Sequence, residues 1–243
     1  MSDQHGPEGR HAGRSHVTLQ AVRSRVRPGS FPLLLVALLL LYVLNGVAVD
    51  LPANGIVGRV AVACAGLYVL SASRTTLWLG VLVVAFWIAF EARLWTPDTW
   101  VGRVLQDTIA TGFLLWVLVV VLREVFRPRT SEVDAVVGAL CGFLIILMAF
   151  MGVHGLIEAL SPDSYRTHGP PFAGRSDAMV RATFQYFSTI TLTTVGFGDI
   201  VAVTPVARLV TGLEAMVGLL YLAVVIATLV GRVAARRVTP PAR

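Results

Sequence analysis

Apolar residues in this chain gather into long unbroken runs, not into the alternation of half-buried strands or the one-sided stripes of soluble helices. Crossing a bilayer core as a helix takes about 20 mostly apolar residues. Six runs approach that length: Phe31 to Val49, Ile56 to Ser73, Thr75 to Phe90, Val104 to Leu122, Ala135 to Leu160, and Pro205 to Val230. Only Arg74 and its neighbours part the second from the third, and the third is short unless Glu91 lies at the interface. A seventh segment, Ala178 to Thr193, is semi-apolar, rich in Thr and Ser, and too short to span. It predicts a helix that enters the membrane and turns back, sheltered by protein because unpaired backbone cannot face lipid. Before it, Ser161 to Asp177 holds Pro162, Gly169, Pro170, Pro171 and Gly174, a composition that breaks regular structure and predicts a surface loop. The expected fold is an all-α membrane protein of six transmembrane helices with one re-entrant helix.

Composition agrees with that pattern: of 243 residues, 56% are hydrophobic and 14% charged. The net charge of +6 comes with 20 basic residues that are all Arg, most of them placed between apolar runs. Membrane topology explains them better than nucleic acid does. Thirteen collect on one side: Arg10, Arg14, Arg23, Arg25 and Arg27, Arg74, Arg123, Arg127 and Arg129, and Arg232, Arg236, Arg237 and Arg243. Five lie on the other, Arg93, Arg103, Arg166, Arg175 and Arg181, diluted by Glu91, Asp98, Asp163 and Asp177, while Arg59 and Arg208 fall within runs. Basic loops are retained in the cytoplasm, so both termini are expected there in a multi-pass protein of the cell membrane, with the re-entrant segment entering from outside. Trp95 and Trp100 suit an outer aromatic belt. Cys64 and Cys141 stand alone inside apolar runs and read as packed thiols. Residues 1–30 carry His5, His11 and His16 but no apolar stretch, so we expect a polar tail without signal peptide or metal site.

The chemistry concentrates in Thr193-Thr194-Val195-Gly196-Phe197-Gly198-Asp199. An ion filter needs a backbone that aims successive carbonyl oxygens at one axis, where they replace the water shell of the ion. Gly196 and Gly198 permit the backbone angles this demands. The Thr194 hydroxyl adds oxygens at the cavity end, and Val195 and Phe197 are expected to point away from the axis and pack behind the filter.

These residues closely resemble the TVGYG signature of potassium channels, with Phe197 where Tyr is commoner, and the resemblance covers about residues 135–237. It implies a helix, pore loop, helix unit with K⁺ held at Thr194, Val195, Gly196 and Phe197, and four chains assembling as a homotetramer to close the ring. The re-entrant helix then aims the negative end of its dipole at the ion path. Ile190 stands where some members carry a carboxylate. Tyr186 occupies a position from which an aromatic donates to the aspartate after the filter, here Asp199; the alternative is that Tyr186 only packs. Gly218 matches the position where related inner helices bend, or else allows close packing. Leu219, Leu222, Ile226 and Val230 follow helical spacing and, by the same resemblance, line the cavity and inner mouth. Glu214 is a carboxylate inside a spanning run, a costly placement that signals function, either as a neutral structural donor near Ser188 or Thr191 or as a gating group.

The fourth run has no Arg between Arg103 and Arg123, so no voltage sensor is expected. Arg59 and Asp107 form a buried pair or snorkel to the interface. His154 and His168 lie near the outer side, where a histidine either senses pH or merely packs. The resulting map is a polar tail at 1–30, a four-helix region at 31–126, a linker at 127–134, a pore unit at 135–237 and a tail at 238–243. Apart from K⁺ in the filter no cofactor is expected, and neither is a nucleic-acid partner or a soluble ligand domain; the remaining partner is the bilayer. The polar residues make no nucleophile, base and orienter set, so an enzyme is not expected. A non-selective cation channel, or less readily a potassium-transport subunit, is the alternative.

Overall fold

Phe113, Val117, Val121 and Val125 recur at every fourth position, and all four are buried on one helix face. They belong to a computed structural model that describes residues 30–47, 100–126, 132–169, 172 and 174–238, with single positions at 64, 78 and 81. The elements in order are α1 (Ser30–Val47), α2 (Trp100–Val125), α3 (Glu132–Leu160), β1 (Tyr165–Thr167), α4 (Asp177–Leu192), β2 (Ile200–Ala202) and α5 (Pro205–Val238). Among the described residues three helices are long and apolar enough to cross a membrane, over Asp107–Val125, Val133–Leu160 and Pro205–Thr228. They correspond to the fourth, fifth and sixth expected runs. The first is carried by α1, whose apolar stretch Phe31–Gly46 is shorter. The expected second and third spans, with Arg59, Arg74, Glu91 and Trp95, lie outside the described residues but for the single positions.

The α2 stripe meets Leu34, Leu38 and Leu41 of α1 and Cys141, Ile145, Leu147 and Met148 of α3 in one core. Two polar ties fasten this bundle to α4. The Gln185 amide of α4 donates to the Tyr42 carbonyl of α1 at 2.9 Å. The Tyr42 hydroxyl lies 3.2 Å from Thr189 Oγ1 and donates to it, because Thr189 gives its own proton to the Gln185 carbonyl.

One feature departs from the all-α expectation. Inside the expected loop, β1 pairs antiparallel with β2 in the register Tyr165↔Ala202, Arg166↔Val201 and Thr167↔Ile200. The ladder continues at both ends, where the His168 amide donates to the Asp199 carbonyl at 3.1 Å and the Val203 amide to the Ser164 carbonyl at 2.8 Å. Three-residue strands are too short to leave a readable alternation. Just beyond, Thr204 caps α5 by accepting from the Ala207 amide at 3.4 Å while donating to the Ser164 hydroxyl at 3.1 Å, with Pro205 in the first helical position.

Candidate functional site

Ser176 opens α4 by accepting from the Met179 amide at 3.3 Å, and Asp177 places a negative charge in the first turn. At the other end the helix unwinds through Thr193, and the chain reverses over its own last turn. The Ile190 carbonyl accepts from both the Val195 and Gly196 amides, at 2.8 and 3.0 Å, and the Thr191 carbonyl accepts from the Thr194 amide at 2.9 Å. So Ile190 serves the loop with backbone oxygen, not with the carboxylate some relatives of the motif use.

Three residues of the loop take the left-handed region: Thr194 at φ 60, Gly196 at 54 and Gly198 at 78, while Val195 and Phe197 between them do not. Alternating hand turns successive peptide planes the same way, which is what a row of carbonyls facing one side requires. Thr194 holds this conformation despite its Cβ, at a local cost of about 1–2 kcal/mol. Val195 is 53% and Phe197 70% exposed. The cover expected behind the filter is therefore not supplied by the same chain.

Asp199 follows directly. Its carboxylate accepts a hydrogen bond from the Tyr186 hydroxyl, which holds the phenolic proton and pushes the Tyr186 pKa up. The other carboxylate oxygen, Oδ1, is buried without a hydrogen-bond partner among the described residues.

Behind the loop, α5 approaches α4 so closely at Gly218 that a Cβ there would collide with the Leu192 carbonyl. Close packing is thus a present role of Gly218, and α5 runs through it as one helix. Leu219, Leu222 and Ile226 are exposed along α5. The Val230 side chain lies outside the described residues.

Glu214 is fully buried, and its partner is one the sequence did not pair with it. Its Oε2 lies 2.8 Å from Nε2 of His154 on α3, and His154 Nδ1 lies 2.6 Å from the Tyr165 hydroxyl on β1. Ser188 of α4 bears on the same carboxylate, although neither Ser188 Oγ nor Glu214 Oε1 completes a hydrogen bond of good geometry. Around the imidazole stand Phe184, near parallel at 6.2 Å, and Phe187 and Tyr165, edge-on at 5.0 and 5.4 Å. Because His154 and Glu214 are 60 positions apart, no local spacing links them. The available signal was that each is an ionisable residue inside an apolar run, and such residues pair.

Residues 176–235 match a family model described as an ion channel, a stretch that starts at the α4 cap and ends in α5. Neither a curated protein nor a solved structure matches the chain. The match, with the apolar helices that carry it, supports an ion channel in a membrane and a role other than catalysis.

Proposed function

We propose that four copies of this chain form a potassium-selective channel whose filter is the backbone of Thr194 to Gly198. The observation that carries the reading is the alternation of left-handed residues at Thr194, Gly196 and Gly198 immediately after a short helix. Such backbone cannot face hydrocarbon, because its carbonyls would lose all hydrogen bonding. It must face water, an ion or more protein. One copy contributes one such strand, so enclosing a dehydrated cation takes several around an axis, and exposed Val195 and Phe197 are then covered by neighbouring copies. Carbonyl oxygens of Thr194, Val195, Gly196 and Phe197 stand in for the hydration of K⁺. The C-terminal end of α4 points its partial negative charge toward the same path.

In this reading both termini are cytoplasmic, α4 enters from the outer face, and Leu219, Leu222, Ile226 and Val230 line the inner cavity. The Tyr186 to Asp199 bond braces the outer end of the filter. Flux into liposomes tests it: the purified protein passes K⁺, rejects Na⁺ and is blocked by barium, and its particles contain four chains. Equal K⁺ and Na⁺ flux would leave a non-selective cation channel, and a monomeric particle would end the proposal.

A further inference from the structure

The hydrogen bonds available to His154 restrict where its protons can sit. A neutral imidazole carries one N–H, and its two ring nitrogens face a carboxylate and a phenol. Burial, with Glu214 and Glu158 nearby, pushes the Tyr165 pKa up, so the phenol keeps its proton. While Glu214 is ionised it can only accept, so Nε2 bears the proton and Nδ1 accepts from Tyr165. Both bonds to the imidazole are then made, and the cluster holds one negative charge. A proton held on Oε1 would leave Nδ1 an acceptor; one added to the imidazole or between Oε2 and Nε2 gives either an imidazolium beside the carboxylate or a neutral carboxyl donating to Nε2. In both cases Nδ1 becomes a donor. Tyr165 must then accept, and its own O–H is left without an acceptor among the described residues.

The position of Tyr165 converts this local reversal into a change at the filter mouth. Tyr165 pairs with Ala202 in the ribbon, and β2 begins one residue after Asp199, whose carbonyl is held by the next residue along from β1. His154 belongs to α3 and Glu214 to α5, so the buried chain from Tyr165 joins the ribbon to both long helices, with Ser188 of α4 beside its carboxylate.

We propose that the Tyr165–His154–Glu214 chain is a single-proton site whose occupancy sets how firmly the ribbon holds the outer end of the filter. The proton site stands on geometry alone; its output at the filter rests on the channel reading. Acid fills the site, Tyr165 loses its role as donor, and the ribbon loosens.

Other titratable and charged groups approach from each side. On α3, Glu158 accepts from the Asp163 and Tyr165 amides at 2.9 and 3.2 Å. Asp107 of α2, Asp163 of the turn and Asp177 and Arg181 of α4 line one outer cavity with Glu158. Arg175 sits 4.9 Å over the Phe172 ring, with Phe172 and Phe184 stacked between it and His154. Arg208 of α5 donates to the Ala202 carbonyl at 3.2 Å.

The site is read directly by nitrogen NMR of ¹⁵N-histidine protein in which His5, His11, His16 and His168 are replaced by Gln. The expected result is that Nδ1 of His154 lacks a proton at alkaline pH and gains one in acid. An Nδ1 that never changes over the range in which the tetramer survives overturns the proposal. The coupling is read as K⁺ flux against pH in liposomes. Wild-type flux is expected to change by up to about tenfold across a one-proton transition, the equivalent of one hydrogen bond. In Tyr165→Phe, which keeps the ring and removes the donor, that transition is lost while K⁺ over Na⁺ selectivity stays. A transition that persists in Tyr165→Phe and disappears in Glu158→Gln assigns the proton to Glu158 and refutes the chain. Absence of flux at every pH, with Nδ1 titrating normally, refutes the channel reading and the coupling together while leaving the proton site standing.

Discussion

The two long helices on either side of α4, α3 and α5, are alike in length and apolar character but opposite in what covers them. Within the chain, 50% of the apolar window of α3 is buried and only 11% of that of α5. α3 spends its surface on α1, α2 and α4, whereas α5 touches its own chain along one line through Ala207, Glu214, Gly218, Tyr221 and Val225. Lipid alone would suit an apolar helix. It would not suit the backbone of Thr194 to Gly198 that α5 flanks, so in the proposed channel at least part of the free α5 face belongs to other copies. In that proposal α3 specifies the fold of one chain and α5 how chains meet.

The sharpest test of this division is Gly218→Ala. Because the added Cβ meets backbone, not a side chain that can swing aside, relaxation must move α5 from α4. The expected cost is at or above the upper end of the ~1–3 kcal/mol range for overpacking, and assembled tetramer should be lost on size exclusion. A variant that assembles fully but conducts less would instead return Gly218 to the role of a bend. In Gly212→Ala the new Cβ meets nothing within 4 Å, so that variant on the same helix controls for helix stiffening.

A second pair contrasts the helices directly. Leu147→Ala on α3 empties a site only 2% exposed, and Leu220→Ala on α5 trims one 58% exposed. In lipid the transfer contribution shrinks and the packing loss remains, so Leu147→Ala should cost about 2 kcal/mol and lower the midpoint of fluorescence-detected thermal unfolding in detergent. Leu220→Ala should leave that midpoint nearly unchanged and, if it moves anything, move the subunit dissociation temperature.

What the sequence displayed follows from the same physics. Long apolar runs reveal α1, α2, α3 and α5 because a membrane solvent rewards length and uniformity, and Gly196 and Gly198 reveal the left-handed loop because its backbone angles exclude most side chains. Tyr186 was legible for a related reason, its offset from Asp199 being fixed by a short local reversal. The ribbon was not legible, since Tyr165 to Thr167 and Ile200 to Ala202 are too short to carry a period and lie in a segment marked by prolines. His154 with Glu214 was hidden by 60 residues of separation, although each stood out as an ionisable group in apolar surroundings. The reach of Gly218 to the Leu192 carbonyl was invisible too: a glycine that bends a helix and one that admits a neighbour look the same in one dimension.

Of smaller effect is Gly196→Ala. Its φ of 54 puts an alanine in the left-handed region at about 1–2 kcal/mol, with no steric partner within 4 Å to add to the cost. In each subunit that is too little to unfold the chain, but a fourfold ring multiplies it at the conduction path. The expected outcome is an intact tetramer with K⁺ flux reduced about tenfold or more and Na⁺ discrimination weakened, measured by competing fluxes. Loss of the tetramer itself would mean that the loop contributes to assembly and that α5 is not its main determinant.

The smallest expected effect lies at Tyr186. Its pKa is raised in the folded protein because the Asp199 carboxylate accepts its proton. Any stability from this bond is therefore fully present below the ordinary phenol pKa of about 10 and is lost as pH climbs through the raised value. Since Tyr186 is 38% exposed, water screens the bond and the chain should unfold at nearly the same temperature in wild type and Tyr186→Phe. The difference belongs in the slow decline of flux during sustained conduction, which Tyr186→Phe should hasten at neutral pH, with the gap to wild type closing under strongly alkaline conditions. An equal gap at all pH values would place the effect in ring packing against α4 and remove the hydroxyl from the brace.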